Sequence, residues 1–143
     1  MADWKNVKKE YNEQTQFWIK VPKNAEEYNE ENLNNKFKEI DCFEFLFKQF
    51  NREQMIDLVV TEGETPKETV KKNFDKFIDN IINWKNITVD DILKNENKEL
   101  LNFDREALDE FFAVNFWVIQ FFIHQVNNVV LERKKQISDQ KKT

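Results

Sequence analysis

Phe43-Glu44-Phe45-Leu46-Phe47-Lys48 is the stretch on which the fold class turns. Phe43, Phe45 and Phe47 alternate with Glu44, Leu46 and Lys48, the period-two pattern of a strand with one buried face. Phe43, Leu46, Phe47 and Phe50 also recur at helical spacing, and over so short a run periodicity does not separate the two readings. Toward the amino end, Phe17-Trp18-Ile19-Lys20-Val21-Pro22 is a run of β-formers closed by proline, which suits a short edge strand. Together these stretches predict a helical domain, mainly α with an α+β character, carrying a small two-stranded β element in its amino-terminal half.

Helix starts surround that element. Asn24 with Glu27 and Asn51 with Gln54 have capping-box spacing. The first opens a polar helix through Tyr28, Leu33 and Phe37, and the second a short one buried through Met55, Leu58 and Val59. That second helix ends in the loop Thr61-Glu62-Gly63-Glu64. Thr65-Pro66-Lys67-Glu68 joins an N-cap threonine to a proline at the first helical position and a glutamate at the third. It predicts a helix to about Asn83, with Val70, Phe74, Phe77, Ile78, Ile81 and Ile82 as its apolar stripe. Thr88 with Asp91 opens one or two more turns through Ile92 and Leu93. Asp104 caps a helix holding Leu108 and Phe111, and Asn115 caps a last one to about Lys135. The chain reads as a single domain over 1–143, with loosely held ends at about 1–14, where Trp4, Val7 and Tyr11 keep helical spacing, and at 137–143.

Composition removes much familiar chemistry. The 143 residues include one glycine, so neither a GxGxxG loop nor a GxxxxGK phosphate cradle is present. Cys42 and His124 are each the sole residue of their kind, which leaves no intramolecular disulfide and no Cys/His zinc cage. The loop Asp90 to Glu99 lacks calcium-loop spacing and its central glycine, so no metal and no cofactor are expected. A net charge of -5 disfavours a nucleic-acid partner, which would need a concentrated basic face. Asn115, Gln120, His124, Gln125, Asn127 and Asn128 interrupt the apolar run from Phe111 to Leu131, which speaks against a membrane span. Met1-Ala2-Asp3-Trp4-Lys5 lacks a signal-peptide pattern, and a cytoplasmic protein is expected. Fourteen Phe and four Trp give a charged, polar chain enough aromatic weight for a folded core.

Few residues read as catalytic. A Cys42 and His124 pair is the minimum for thiolate chemistry, but Cys42 stands in an apolar run without a nucleophile turn and reads as packing. Carboxylate neighbours such as Glu26-Glu27, Asp90-Asp91 and Asp109-Glu110 point apart on a helix and read as solvated or capping charges. No enzyme is expected. The basic end, Arg133-Lys134-Lys135 and Lys141-Lys142, complements the negative end of the last helix.

The last helix holds a stronger signal. Val118, Ile119, Phe122, Ile123, Val126, Val129 and Val130 share one face, an ordinary core stripe. Trp117 and Phe121 lie off that stripe, one turn apart, on the side of Gln120, His124 and Asn128. An aromatic pair on a polar face needs a cover, either another layer of the domain or, the simpler reading for a chain this short, a partner or a second copy of the chain.

The run Phe77-Ile78-Asp79-Asn80-Ile81-Ile82-Asn83-Trp84-Lys85-Asn86-Ile87, then Leu101-Asn102-Phe103-Asp104-Arg105-Glu106-Ala107-Leu108-Asp109-Glu110-Phe111-Phe112 and a long apolar helix, resembles the tail assembly chaperones of tailed phages and prophages. In that family a helix leads into a W-x-x-[IV] element, met here by Trp84 and Ile87. A polar loop and an F-[ST]-x-E-x-[AL] helix start follow, matched here by Phe103, Glu106 and Leu108, with Asp104 where the pattern has Ser or Thr. Where the family's loop has small residues, this chain has Asn95-Glu96-Asn97-Lys98. The resemblance implies a non-enzymatic protein in the cytoplasm of a bacterial host, binding the tape-measure protein and the tail-tube protein during tail assembly. It makes Trp84, Ile87 and Phe103 fold-determining, with Trp84 packing on Ile81 and Leu108, and places the client surface near the last helix. The alternative is a small acidic phage-encoded helical inhibitor or regulator of a host enzyme, for which carboxylates gathered on one face would speak.

Overall fold

A computed structural model describes residues 1–27, 41–57 and 65–141. Among them are α1 (Trp4–Thr15), β1 (Gln16–Pro22), a 3-10 turn (Ala25–Glu27), β2 (Cys42–Lys48), α2 (Arg52–Asp57) and α3 (Pro66–Asp79). There follow β3 (Ile81–Lys85), α4 (Val89–Leu93), α5 (Arg105–Val114) and α6 (Phe116–Lys141). The strands form one antiparallel sheet in the order β1-β2-β3. The chain is therefore mixed α+β, and the expected two-stranded element is a three-stranded sheet.

The alternation in Phe43 to Phe47 resolves as a strand, because Phe43, Phe45 and Phe47 are buried while Glu44 and Leu46 are half-open. β1 takes the sheet edge expected of a strand ending in proline. The third strand replaces the end of the helix expected to reach Asn83. Its cause is Asn80, where α3 stops at φ -95° and ψ 3°. The buried Asn80 amide donates to the Lys48 carbonyl at 2.7 Å and pairs with the Gln54 amide, whose Nε2 lies 2.6 Å from Asn80 Oδ1. The Asn80 carbonyl takes the Lys48 N–H at 2.9 Å. Ile81 and Ile82 continue the helical spacing of Phe74 and Phe77, but their β-branches suit the strand that these bonds begin.

The chain divides into two compact units. The first comprises Met1–Trp18 and Phe45–Asn83. Phe47 is its hub, with ring centroids 5.7 Å from Phe17, 5.5 Å from Phe50 and 6.0 Å from Phe77. Elsewhere in the unit, Trp4, Val7 and Tyr11 of α1, Met55 of α2 and Val70 of α3 are exposed. Met55 and Val70 thus leave the buried stripes expected of them. The Asn51–Gln54 box forms in both directions, and the Thr65 hydroxyl accepts from the Glu68 N–H as its spacing predicts.

The second unit comprises Ile19–Glu44 and Trp84–Thr143. α5 packs on both α4 and α6. Ile19, Val21, Phe43, Ile87, Leu108, Phe111, Phe112, Val118, Ile119, Phe122 and Val126 are buried, so the core stripe expected for the last helix holds at Val118, Ile119, Phe122 and Val126. Gln125 is fully buried beside them and reaches the Lys20 carbonyl of β1 at 3.4 Å, a polar tether where the sequence reads as an interruption.

Two caps hold as expected: Thr88 and Asp91 form a reciprocal box, and the Asp104 carboxylate accepts from the N–H groups of Glu106 and Ala107. Asn115 differs. It ends α5 rather than capping α6 with its side chain, donating to the Asp91 and Phe111 carbonyls at 2.8 and 3.2 Å and accepting from Lys94 Nζ at 3.1 Å. α6 runs to Lys141, past the expected end near Lys135. The polar helix expected from Asn24 shows only the turn Ala25–Glu27; its continuation through Tyr28, Leu33 and Phe37 lies outside the described residues, as do Leu58, Val59 and the loop around Gly63.

Candidate interaction surfaces

Trp84 and Ile87 build the frame of the second unit. Trp84, on β3, is only 4% exposed and Ile87 is fully buried. The Trp84 indole N–H donates to the Leu101 carbonyl at 2.8 Å, while the Ile87 carbonyl accepts from the Leu101 N–H at 2.8 Å. The W-x-x-I spacing thus grips one residue, Leu101, from both sides of its backbone. Trp84 also meets Phe103 edge-on at 5.5 Å and Phe111 at 6.3 Å, and Phe103 is half-buried.

The loop that delivers Leu101 turns without glycine. Asn86, Lys94 and Glu96 adopt positive φ of 63°, 54° and 67°. Asn86 is held there by bonds to Asp41 Oδ1 at 2.6 Å and to the Cys42 carbonyl at 2.7 Å. Asn95 and Asn97 each accept a backbone N–H two residues on, at 3.1 and 2.9 Å, which is the local turn chemistry of asparagine. Asp90 accepts from the Glu96 N–H and from Lys98 Nζ, both at 2.7 Å. The Lys98 bond, reinforced by that backbone donor, holds the Asp90 carboxyl below its ordinary value, and the same contact raises Lys98. Lys23 Nζ lies 3.3 Å from Asp91 and 5.3 Å over the Phe43 ring.

Among the described residues of this unit, two apolar surfaces are open to a partner. On α6, Trp117 and Phe121 pack at 72° with centroids 5.7 Å apart, and both are half-buried. Phe43 of β2 approaches Trp117 at 6.5 Å, so the sheet supplies part of the cover that a partner was expected to supply in full. Gln120 and His124 stand exposed on the same helix. The structure therefore brings Trp117 and Phe121 together as one partly open patch flanked by polar side chains.

The second surface is a groove of about 330 Å³ between α4 and α5, with Val89, Ile92, Leu93, Leu101 and Ala107 as floor and Asp104, Glu106 and Glu110 as rim. Sequence reading missed it. The signal was Val89, Ile92 and Leu93 at helical spacing on a helix too short to bury them, followed by Leu100-Leu101 just ahead of a helix cap. Leu93 is 64% exposed and Leu100 69%.

Cys42 is buried at the start of β2 and His124 is exposed on α6. Among the described residues no three Cys, His, Asp or Glu side chains converge as metal ligands, and no helix is long and apolar enough to cross a membrane. Compared with known protein families, curated proteins and solved structures, the chain matches none.

Proposed function

We propose that this chain is a tail assembly chaperone of a tailed phage or prophage, a non-enzymatic protein of the host cytoplasm that covers apolar segments of a tape-measure protein and recruits tail-tube protein around them. The observation that carries the reading is the half-open Trp117–Phe121 pair, an aromatic patch on a polar helix face. Such a patch suits reversible capture of an apolar helix, because aromatic rings contribute large contact area at small entropic cost while the net charge of -5 opposes coaggregation. Asp90 and Asp109 pair with Lys98 and Arg105, and Asp91 and Asp104 cap helices, so these four carboxylates are engaged within the chain.

The test is a Trp117→Ser, Phe121→Ser double variant. We expect its circular dichroism to match the wild type while pull-down of tape-measure fragments and any self-association seen by ultracentrifugation are lost. Unchanged binding by the folded double variant would defeat the reading. Cys42→Ser and His124→Gln are expected to leave the assembly activity intact, and a variant that folds and still binds its client yet loses that activity would overturn the non-enzyme reading.

A further inference from the structure

We infer that the groove between α4 and α5 is a second docking site, separate from the Trp117–Phe121 patch, and that its occupant is a basic amphipathic helix of a partner protein. Three observations carry this. The floor is aliphatic and open, with Leu93 largely exposed on it, so it presents contiguous apolar surface that water covers poorly. The rim is acidic: Glu106 and Glu110 stand one turn apart on α5, Asp104 stands at its start, and neither glutamate pairs with a cation among the described residues. The walls offer no backbone for strand addition. α4 and α5 present helical backbone rather than a strand edge, and residues 87–90 pair with 97–101 through Leu101 N–H to Ile87, Val89 N–H to Glu99 and Asp90 N–H to Asn97.

An occupant must therefore bind through side chains. A helix with one leucine-type stripe fills a gap between two helices, and lysine or arginine flanking that stripe meets the carboxylate rim. At about 330 Å³ the space lies at the lower end of the ~300–1,000 Å³ usual for ligand sites, which fits a few anchoring side chains better than an enclosed small molecule.

The inference stands apart from the chaperone reading and is tested without a phage client. The probe is a fluorescent synthetic helix of about 18 residues, long enough to be helical, with leucine on one stripe and lysine elsewhere. Its counterpart carries glutamate in place of each lysine. Fluorescence polarisation with the full chain is expected to show the lysine peptide binding at least about tenfold more tightly than the glutamate peptide, with affinity falling as salt rises. Leu93→Ser, and Glu106→Gln with Glu110→Gln, are each expected to weaken it about tenfold. These positions are exposed or at the rim, and circular dichroism checks that the variants fold. The Trp117→Ser, Phe121→Ser variant should bind the peptide as the wild type does. Equal binding of the two peptides, or an affinity that ignores Leu93 and the two glutamates, overturns the inference. So does self-association that the lysine peptide competes away, since the occupant would then be a second copy.

Discussion

Trp84 and Trp117 belong to the same compact unit and each packs against phenylalanine, yet the fold uses them differently. Trp84 sits on a strand, touches Phe103 and Phe111, and spends its indole N–H on the Leu101 carbonyl. Trp117 sits on a helix, leans on Phe43 from 6.5 Å and pairs with Phe121, and part of that patch faces outward. Both contribute aromatic area, but only Trp84 is fixed by a backbone bond in a dry setting. A tryptophan whose polar handle is satisfied inside the unit acts as a staple, whereas one left half-open keeps its apolar area for association.

The largest expected effect breaks the contrast from the buried side. Trp84→Ala should cost about 3–5 kcal/mol in urea unfolding, the range for emptying a buried tryptophan site. A loss no greater than that of Trp117→Ala would erase the distinction. Trp84→Phe retains most of the ring but leaves the Leu101 carbonyl without its donor, and it should cost about 1–3 kcal/mol. Trp117→Ala should cost less than Trp84→Ala, because the Trp117 ring is only partly buried. In single-tryptophan variants, acrylamide should quench Trp117 strongly and Trp84 hardly at all.

The smallest effect lies in the loop that presents Leu101 to Trp84. Asp90 is held below its ordinary value of 3.8, so its contribution is present above that value and is lost as pH falls through the lower folded one. Lys98 is raised above 10.5, so its contribution is present below that value and is lost as pH rises through the higher folded one. Lys98→Ala should therefore lower Tm slightly between these limits, and the difference from wild type should vanish at strongly acidic and strongly alkaline pH. Because the pair is solvent-facing, added salt should shrink the difference too.

Local signals were legible in the sequence. Asn51 with Gln54, Thr65 with Glu68, Thr88 with Asp91, and Asp104 each make the caps that their spacing announces, since a cap needs only neighbours along the chain. β3 was not legible, because Ile81 and Ile82 satisfy helical and strand spacing alike. The deciding bonds reach from Asn80 to Lys48 and Gln54, far away in the chain. Asn115 misled for the same reason: a short polar residue between two helices reads as a cap, while its partners are Asp91 and Lys94. Of the interaction surfaces, the Trp117–Phe121 pair was visible in one helical projection. The groove needed the packing of α4 against α5, which no single segment encodes.

The corners at Asn86, Lys94 and Glu96 bear on engineering. A left-handed conformation costs a side-chain-bearing residue about 1–2 kcal/mol, and glycine there regains part of this at about 0.5–1 kcal/mol of extra unfolded-state freedom. Asn86 has side-chain bonds that repay its strain, and Lys94 reaches Asn115, so neither is a position to alter. Glu96 uses its backbone N–H toward Asp90, a bond that glycine keeps. Glu96→Gly should therefore raise the unfolding free energy by about 0.5–1 kcal/mol. A thermally hardened version of the protein, with the α6 patch and the α4–α5 groove both unaltered, is within reach of one substitution.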